Sequence, residues 1–161
     1  MAISATLKLK TIKGESAIKG HEERIDVLSW SWGITQSASA HVAAGAGTGS
    51  ADVKDLRITK YVDKSTPTLY QSCFKGDDIG PGTLTLMKVS GDKALEYVTI
   101  TMESTVIISS ITSGDALPND RFTESVTLNF GKATFVYTPQ GDGQKPGGAV
   151  TGTLAISKQY G

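Results

Sequence analysis

The segment DVLSWSWG at residues 26–33 is the most informative part of this chain, because large and small side chains alternate along it. Leu28, Trp30 and Trp32 fall on one face, and Ser29 and Ser31 fall on the other. Successive side chains of a β-strand point to opposite faces of the sheet, so the alternation predicts a strand with two different sides. Large aromatic side chains bury much apolar area. We therefore expect Trp30 and Trp32 to anchor the core.

The serine face of this strand is smoother than that of a typical solvent-exposed strand, which carries long polar or charged side chains. One interpretation is that another element of the protein approaches the small residues closely. The other is that Ser29 and Ser31 form a wall along which another molecule slides or rests. The apolar side also changes between Val27 and Leu28, which predicts a bulge, or burial of both faces, in this strand.

Length and composition predict a single domain over residues 1–161 with a substantial core. Hydrophobic residues make up 39% of the chain, and no apolar run approaches the ~18 residues that span a bilayer, so we expect no membrane insertion. The 16 basic and 16 acidic residues balance and form no basic stripe, which argues against a nucleic-acid partner. A net charge near zero also makes self-association easier.

Two further features concern the cellular compartment. The lone Cys73 excludes an internal disulfide and a cysteine-based metal cluster. The N-terminus has no apolar segment of the signal-peptide type and already alternates like a strand. We therefore expect the chain to be made and folded in the cytoplasm without a signal peptide.

Period-two patterns separated by turn signals dominate the chain and predict a β-sandwich or β-barrel. The predicted strands cover residues 3–10, 25–32, 53–62, 83–89, 96–105, 106–112, 122–130, 133–138 and 150–157. One segment differs, because Pro67 follows a Ser-Thr cap and Gly76 supplies a C-terminal stop. The spacing of Leu69 with Cys73, and of Tyr70 with Phe74, predicts one short amphipathic helix at about 66–75.

The segment HVAAGAGTGSA at residues 41–51 has neither strand nor helix character. It lies between two predicted strands and can bury little. We expect an extended glycine-rich loop, because loops of this length inside a compact domain are usually functional or disordered.

No catalytic, cofactor-binding or metal-binding constellation is visible in the sequence. The glycine-rich loop lacks the Gly-Lys-Ser/Thr ending of a phosphate loop, and no serine sits in a GxSxG turn. His21 and His41 lack metal-site spacing and are expected to be solvated. Cys73 is expected to be a small core residue. We therefore expect a non-enzyme without cofactors or bound metal.

Five segments, in order, resemble the haemolysin-coregulated protein (Hcp) family of type VI secretion systems. They are IKGES (12–16), IDVLSWSWG (25–33), ITKYVDKSTP (58–67), ESVTLNF (124–130) and FVYTPQ (135–140). Each piece alone is a weak signal, but the ordered set spans nearly the whole chain.

The resemblance implies a compact β-barrel of two antiparallel sheets flanked by one helix. It also implies hexameric rings that stack into a tube inside contractile sheath proteins, above a baseplate and behind a trimeric spike protein. The tube is expelled from a Gram-negative cell and secreted, and its lumen carries small effector proteins. Some relatives carry a toxin domain after the barrel. This chain ends soon after its last predicted strand, so we expect no such C-terminal extension.

The strand pattern and the resemblance together assign candidate site residues. Ser31 and Ser29 are expected to line the lumen, with the serine-rich turn at Ser109, Ser110 and Ser113 as a companion. The loop is expected to contact the next ring through Ala44, Gly45, Ala46, Gly47, Thr48, Gly49 and Ser50.

Two alternatives remain open at this stage. A small-ligand-binding barrel of lipocalin-like outline would need an apolar cavity, whereas Trp30, Trp32, Phe122 and Phe130 are bulky enough to fill the interior. A β-fold hydrolase would need catalytic residues brought together from unrelated loops.

Overall fold

The computed structural model describes residues 2–41, 49–114, 120–139 and 148–156, and within them the chain forms ten strands and one helix. In chain order the elements are β1 (Ala2–Leu9), β2 (Ile25–Val27), β3 (Ser29–Ser31), β4 (Ile34–Gln36), β5 (Ala51–Val53), β6 (Leu56–Tyr61), α1 (Thr66–Lys75), β7 (Gly82–Ser90), β8 (Lys93–Gly114), β9 (Thr123–Tyr137) and β10 (Val150–Leu154).

Eight strands form one antiparallel sheet in the order β2-β1-β7-β8-β9-β6-β3, with β10 paired to the second half of β9. The two ends of this path, β2 and β3, are consecutive in the chain and are separated only by Leu28. The backbone N–H of Leu28 donates to the carbonyl oxygen of Thr59 at 2.7 Å. The sheet therefore curls until its ends meet in a nearly closed barrel, which confirms the predicted fold class. The two expected sheets are two sides of one continuous sheet.

Leu28 is also the place where the predicted irregularity lies. Ile25 and Val27 pair with β1 and are buried, whereas Leu28 is 48% exposed. After Leu28 the strand leaves β1 and pairs with β6 instead. The change of apolar side read from the sequence thus marks the closure of the barrel.

Strands β8 and β9 are each longer than predicted, because each was expected as two separate strands. The register between them shifts from Glu103 to Val106, where Ser104 and Thr105 adopt positive φ angles of 54° and 69°. Gly131 lies opposite this bulge, and a Cβ atom there would come within 2.4 Å of the Ser104 carbonyl oxygen. The bulge therefore bends the sheet without ending the strand.

A contiguous cluster of buried side chains occupies the inside of the barrel, from Leu7 on β1 to Ala133 on β9. Phe130 belongs to it, as predicted, with only 5% of its surface exposed. Phe122 does not, because it is 47% exposed just before β9 begins. The prediction that Phe122 helps to fill the interior is therefore wrong.

Helix α1 is confirmed at Thr66–Lys75, with a proline in its first turn and Gly76 in the left-handed conformation at its end. Leu69 is buried and Cys73 packs against the core at partial exposure. Tyr70 and Phe74 instead face outward, with Phe74 93% exposed. The inner stripe is therefore Leu69, Ser72 and Cys73, and the predicted place of Tyr70 and Phe74 on that stripe is wrong.

Candidate lumen face and assembly surfaces

The register of four strands places Ser29 and Ser31 on a continuous polar face outside the barrel. Directly opposite residues in an antiparallel sheet point to the same side. Ser29 lies opposite Thr59, and Ser31 lies opposite Arg57. These two rows of paired residues, one through Thr59 and one through Arg57, continue across β9 and β8. We call this surface the hydroxyl face and define it by Ser29, Ser31, Arg57, Thr59, Ser110, Thr112, Ser125 and Thr127.

The residues of the hydroxyl face are exposed or half-buried, and Arg57 is the one charged side chain in the set. The Arg57 guanidinium donates a hydrogen bond from Nη2 to Ser125 Oγ at 3.2 Å. The other members of the face are serine and threonine, whose side chains are short and end in a hydroxyl or methyl group. The sequence alone pointed to the two serines of β3 and to Ser110 of the serine-rich turn. It did not point to the other members, because they come from strands that are distant in the chain.

The two tryptophans of the opening segment behave differently. Trp30 lies opposite Ile58, on the core side of the sheet, but 36% of its surface is exposed. Trp32 packs against the core between Phe130 and Phe135, at ring-centroid distances of 6.0 and 6.4 Å. Its indole N–H donates to the Lys54 carbonyl oxygen at 2.8 Å. Trp32 therefore anchors the edge of the core at partial exposure. Trp30 was predicted to be buried in the core of the protomer, and this prediction is corrected because Trp30 is exposed.

Ser113 lies on the opposite side of the sheet from Ser29 and Ser31. It pairs with Glu124, which is buried and faces the inside of the barrel. The Ser113 hydroxyl donates to Glu124 Oε1 at 2.8 Å and accepts from the Tyr70 hydroxyl of α1 at 2.7 Å. The expected grouping of Ser113 with the two serines of β3 is therefore corrected, because the register gives Ser113 a structural partner on α1.

A buried charged network underlies this contact. The Lys60 ammonium lies 2.6 Å from Glu124 Oε2 and 3.1 Å from Asp63 Oδ1, and it donates to the Tyr61 carbonyl oxygen at 2.8 Å. The Thr66 hydroxyl also donates to Glu124 Oε2 at 2.8 Å. Because Thr66 opens α1, the network fixes the start of the helix to strands β6 and β9.

The stem of the glycine-rich loop is the hairpin of β4 and β5, which the sequence did not predict as paired strands. All three residues of β4 are exposed, and Gln36 pairs with Ala51. Ser37 and Ser50 continue the hairpin through a backbone hydrogen bond of 3.2 Å. Of the predicted stacking residues, Gly49 and Ser50 lie at this stem. Ala44, Gly45, Ala46, Gly47 and Thr48 lie outside the described residues.

His21 is buried at 5% exposure, which corrects the prediction that it is solvated. Its Nε2 atom lies 3.2 Å from Glu96 Oε1 on β8. Desolvation, and then the nearby Arg24 charge, lowers the pKa of His21, while Glu96 and Glu22 oppose this shift. The uncharged imidazole is therefore the form that the fold prefers. His41 is exposed, as expected.

Among the described residues, no group of three or more His, Cys, Asp or Glu side chains could hold a metal ion. Within the same part of the chain, no helix has the length and apolar character needed to cross a membrane.

Comparison with known proteins identifies the family. The family model described as "Type VI secretion system effector, Hcp" matches residues 6–137. The chain is also 46% identical over 151 residues to protein hcp1 of Pseudomonas aeruginosa, covering 93% of each chain. This chain belongs to the Hcp family.

Solved structures of Hcp proteins share this fold. One, described as a type six secretion system protein, has a TM-score of 0.89 at 25% identity and covers 98% of each chain. Hcp1 from Salmonella typhimurium has a TM-score of 0.80 at 28% identity and covers 99% of this chain and 98% of its own.

Membership in the Hcp family identifies this chain as a type VI secretion tube protein. Proteins of this family form ring oligomers and are secreted. The structures of Hcp relatives support this function and not the lipocalin-like alternative. The buried aliphatic side chains that occupy the barrel interior agree with that outcome.

Proposed function

We propose that this protein is the hexameric tube subunit of a type VI apparatus, that the hydroxyl face lines the lumen, and that the subunit has no catalytic role. The whole chain acts as one tube domain. Six-fold rings stack inside the sheath behind the spike and baseplate, and small effector proteins occupy the lumen. The protein is made in the cytoplasm of a Gram-negative cell and leaves through the type VI apparatus.

The single observation that carries the proposal is the continuity of the hydroxyl face across β3, β6, β9 and β8. An ordinary outward-facing sheet carries many long charged side chains, whereas this one carries small hydroxyls at nearly every position. In a ring each side chain is repeated around the bore, so small residues keep a channel open. Hydroxyls also interact weakly enough with cargo for it to leave later.

The glycine-rich loop supports the stacking part of the proposal. Its stem at Ser37 and Ser50 is exposed and held by hydrogen bonds in both directions between the two residues. The loop residues 44–50 are therefore proposed to reach the neighbouring ring.

A labelling experiment tests the position of the hydroxyl face. Ser31→Cys is made in a Cys73→Ser background, and rings are labelled with a small gold cluster carrying one maleimide. Light scattering should report a hexamer, and top views in electron micrographs should show gold inside the central hole. Phe74→Cys in the same background is the matched control, because Phe74 is fully exposed on α1, and its gold should lie outside the hole.

Gold from Ser31→Cys on the outer rim would refute the lumen assignment while leaving the ring itself intact. A purely monomeric protein at micromolar concentration would refute the assembly.

A further inference from the structure

Resting on the proposed position of the hydroxyl face, we infer that this lumen selects cargo with an acidic surface, whose carboxylates bind Arg57 and Arg121. Arg57 belongs to the hydroxyl face, and Arg121 lies beside it. Neither guanidinium forms an ion pair with any described residue. Both are exposed.

Arg57 is held in place without being neutralised. Its contact with Ser125 fixes the guanidinium against the sheet, beside the serine and threonine side chains of the hydroxyl face. A single hydrogen bond leaves most of its N–H donors free for a ligand. A planar guanidinium with free donors matches a carboxylate in two-pronged geometry.

Arg121 is held by an aromatic ring at the end of the same strands. Its guanidinium carbon lies 4.0 Å from the centre of the Tyr61 ring. Tyr61 pairs with Thr123 in the row that follows Thr59 and Ser125, so it lies on the same side of the sheet as Arg57. Stacking on a ring leaves the N–H edges of a guanidinium accessible.

The spacing of the two cations suits a protein surface better than a small anion. Tyr61 lies four positions after Arg57 on β6, which corresponds to about 13 Å along a strand. A single phosphate or carboxylate cannot bridge that distance. A segment of polypeptide with several acidic side chains can, and rotation around the ring would repeat the pair.

The Asp55 carboxylate, which lies beside this surface, is already engaged in hydrogen bonds. Asp55 accepts hydrogen bonds from Asn129 Nδ2 at 2.8 Å and from Ser109 Oγ at 2.7 Å, one on each oxygen. It forms no ion pair with Arg57. The negative charge of Asp55 repels an acidic cargo. Removing that charge should therefore strengthen binding, whereas removing an arginine should weaken it.

Peptide binding to the purified ring tests the inference. The probes are a peptide of eight glutamates carrying an uncharged dye and the matching glutamine peptide, followed by fluorescence anisotropy at low ionic strength. We expect the glutamate peptide to bind at least tenfold more tightly than the glutamine peptide. Arg57→Gln and Arg121→Gln should each weaken it several-fold, Arg57→Lys less, and Asp55→Asn should tighten it.

Lys75→Gln is the control for a general loss of positive charge, because Lys75 is an exposed cation at the end of α1. Equal binding of the two peptides, unchanged affinity in both arginine variants, or an equal loss in Lys75→Gln would overturn the inference. The assay does not depend on where the face lies in the ring. The gold-labelling result therefore separates a failure of the lumen assignment from a failure of the acidic-cargo inference.

Discussion

The Lys60 ammonium and the Glu124 carboxylate lie 2.6 Å apart, and both side chains are completely buried. A buried ion pair gains attraction in the protein interior but loses the hydration of both charges. Removing Lys60 leaves the buried Glu124 carboxylate without a counter-charge, and removing Glu124 leaves the Lys60 ammonium paired with Asp63 alone. Here the pair also sits at the start of α1, so its loss affects the helix as well as the sheet.

We predict that Lys60→Met and Glu124→Gln each lower the free energy of unfolding by about 3–5 kcal/mol. The double variant should lose at least about 1 kcal/mol less than the sum, because it removes both charges of the pair and leaves only Asp63 without its contact to Lys60. Urea unfolding of all four proteins at one fixed protein concentration measures this. Strict additivity would show that the two charges are energetically independent.

Ser113 and Ser31 provide a second contrast, because the register puts them on opposite sides of the sheet. Ser113→Ala removes hydrogen bonds to Glu124 and Tyr70 and should cost about 1–2 kcal/mol of unfolding free energy. Ser31→Ala should change stability by less than about 0.5 kcal/mol, because Ser31 is exposed. Tyr70→Phe should cost less than Ser113→Ala. Equal effects of the two serine substitutions would contradict the assignment of Ser113 to the helix contact.

His21 should make stability depend on pH. The pKa of His21 is lowered in the folded protein, chiefly by desolvation, so the unfolded chain binds more protons as pH falls below about 6.5. The contribution of neutral His21 to the free energy of unfolding should therefore be fully present above that pH. It should be lost as the pH falls toward the pKa of His21 in the folded protein. Glu96→Gln should deepen the decline, because Glu96 favours the charged imidazole.

Unfolding midpoints between about pH 5 and pH 8 measure this effect. His21→Gln is the control and should remove this part of the pH dependence. An identical profile for wild type and His21→Gln would show that another group is responsible.

The glycine-rich loop should matter for stacking and not for folding. Replacing residues 43–48 with a Gly-Ser pair keeps the stem at Ser37 and Ser50. We predict single rings of unchanged mass and thermal stability, with tube formation and secretion impaired. Tube length in electron micrographs and the amount of protein in the culture medium measure the two effects. Wild-type secretion by this variant would mean that the loop is only a linker.

Larger side chains at Ser31 should weaken cargo retention without breaking the ring. Ser31→Gln or Ser31→Arg adds bulk at an exposed position, repeated in every subunit. We predict a hexamer of normal mass from which co-purifying effectors are lost. Glu22→Gln, at an exposed position outside the hydroxyl face, is a suitable control. Normal retention in the Ser31 variants would argue against a cargo contact there.

The local features of this protein follow directly from its amino-acid sequence. Alternation predicted the strands, a proline and a glycine predicted both ends of α1, and five ordered segments predicted the family. It also located the irregularity at Leu28. These signals are carried by residues close together in the chain, where side-chain period and backbone preference act directly.

Which residues share a face depends instead on the pairing of strands in the folded protein. Ser31 and Ser113 are both serines in strands, yet the register of β8 against β9 puts Ser113 beside Glu124 and α1. Arg57 reaches the hydroxyl face through pairing with β3, and no local pattern marks it. His21 is buried beside Glu96, a residue of β8. Each outcome depends on which strands become neighbours when the barrel closes, and that is fixed by packing between residues far apart in the chain.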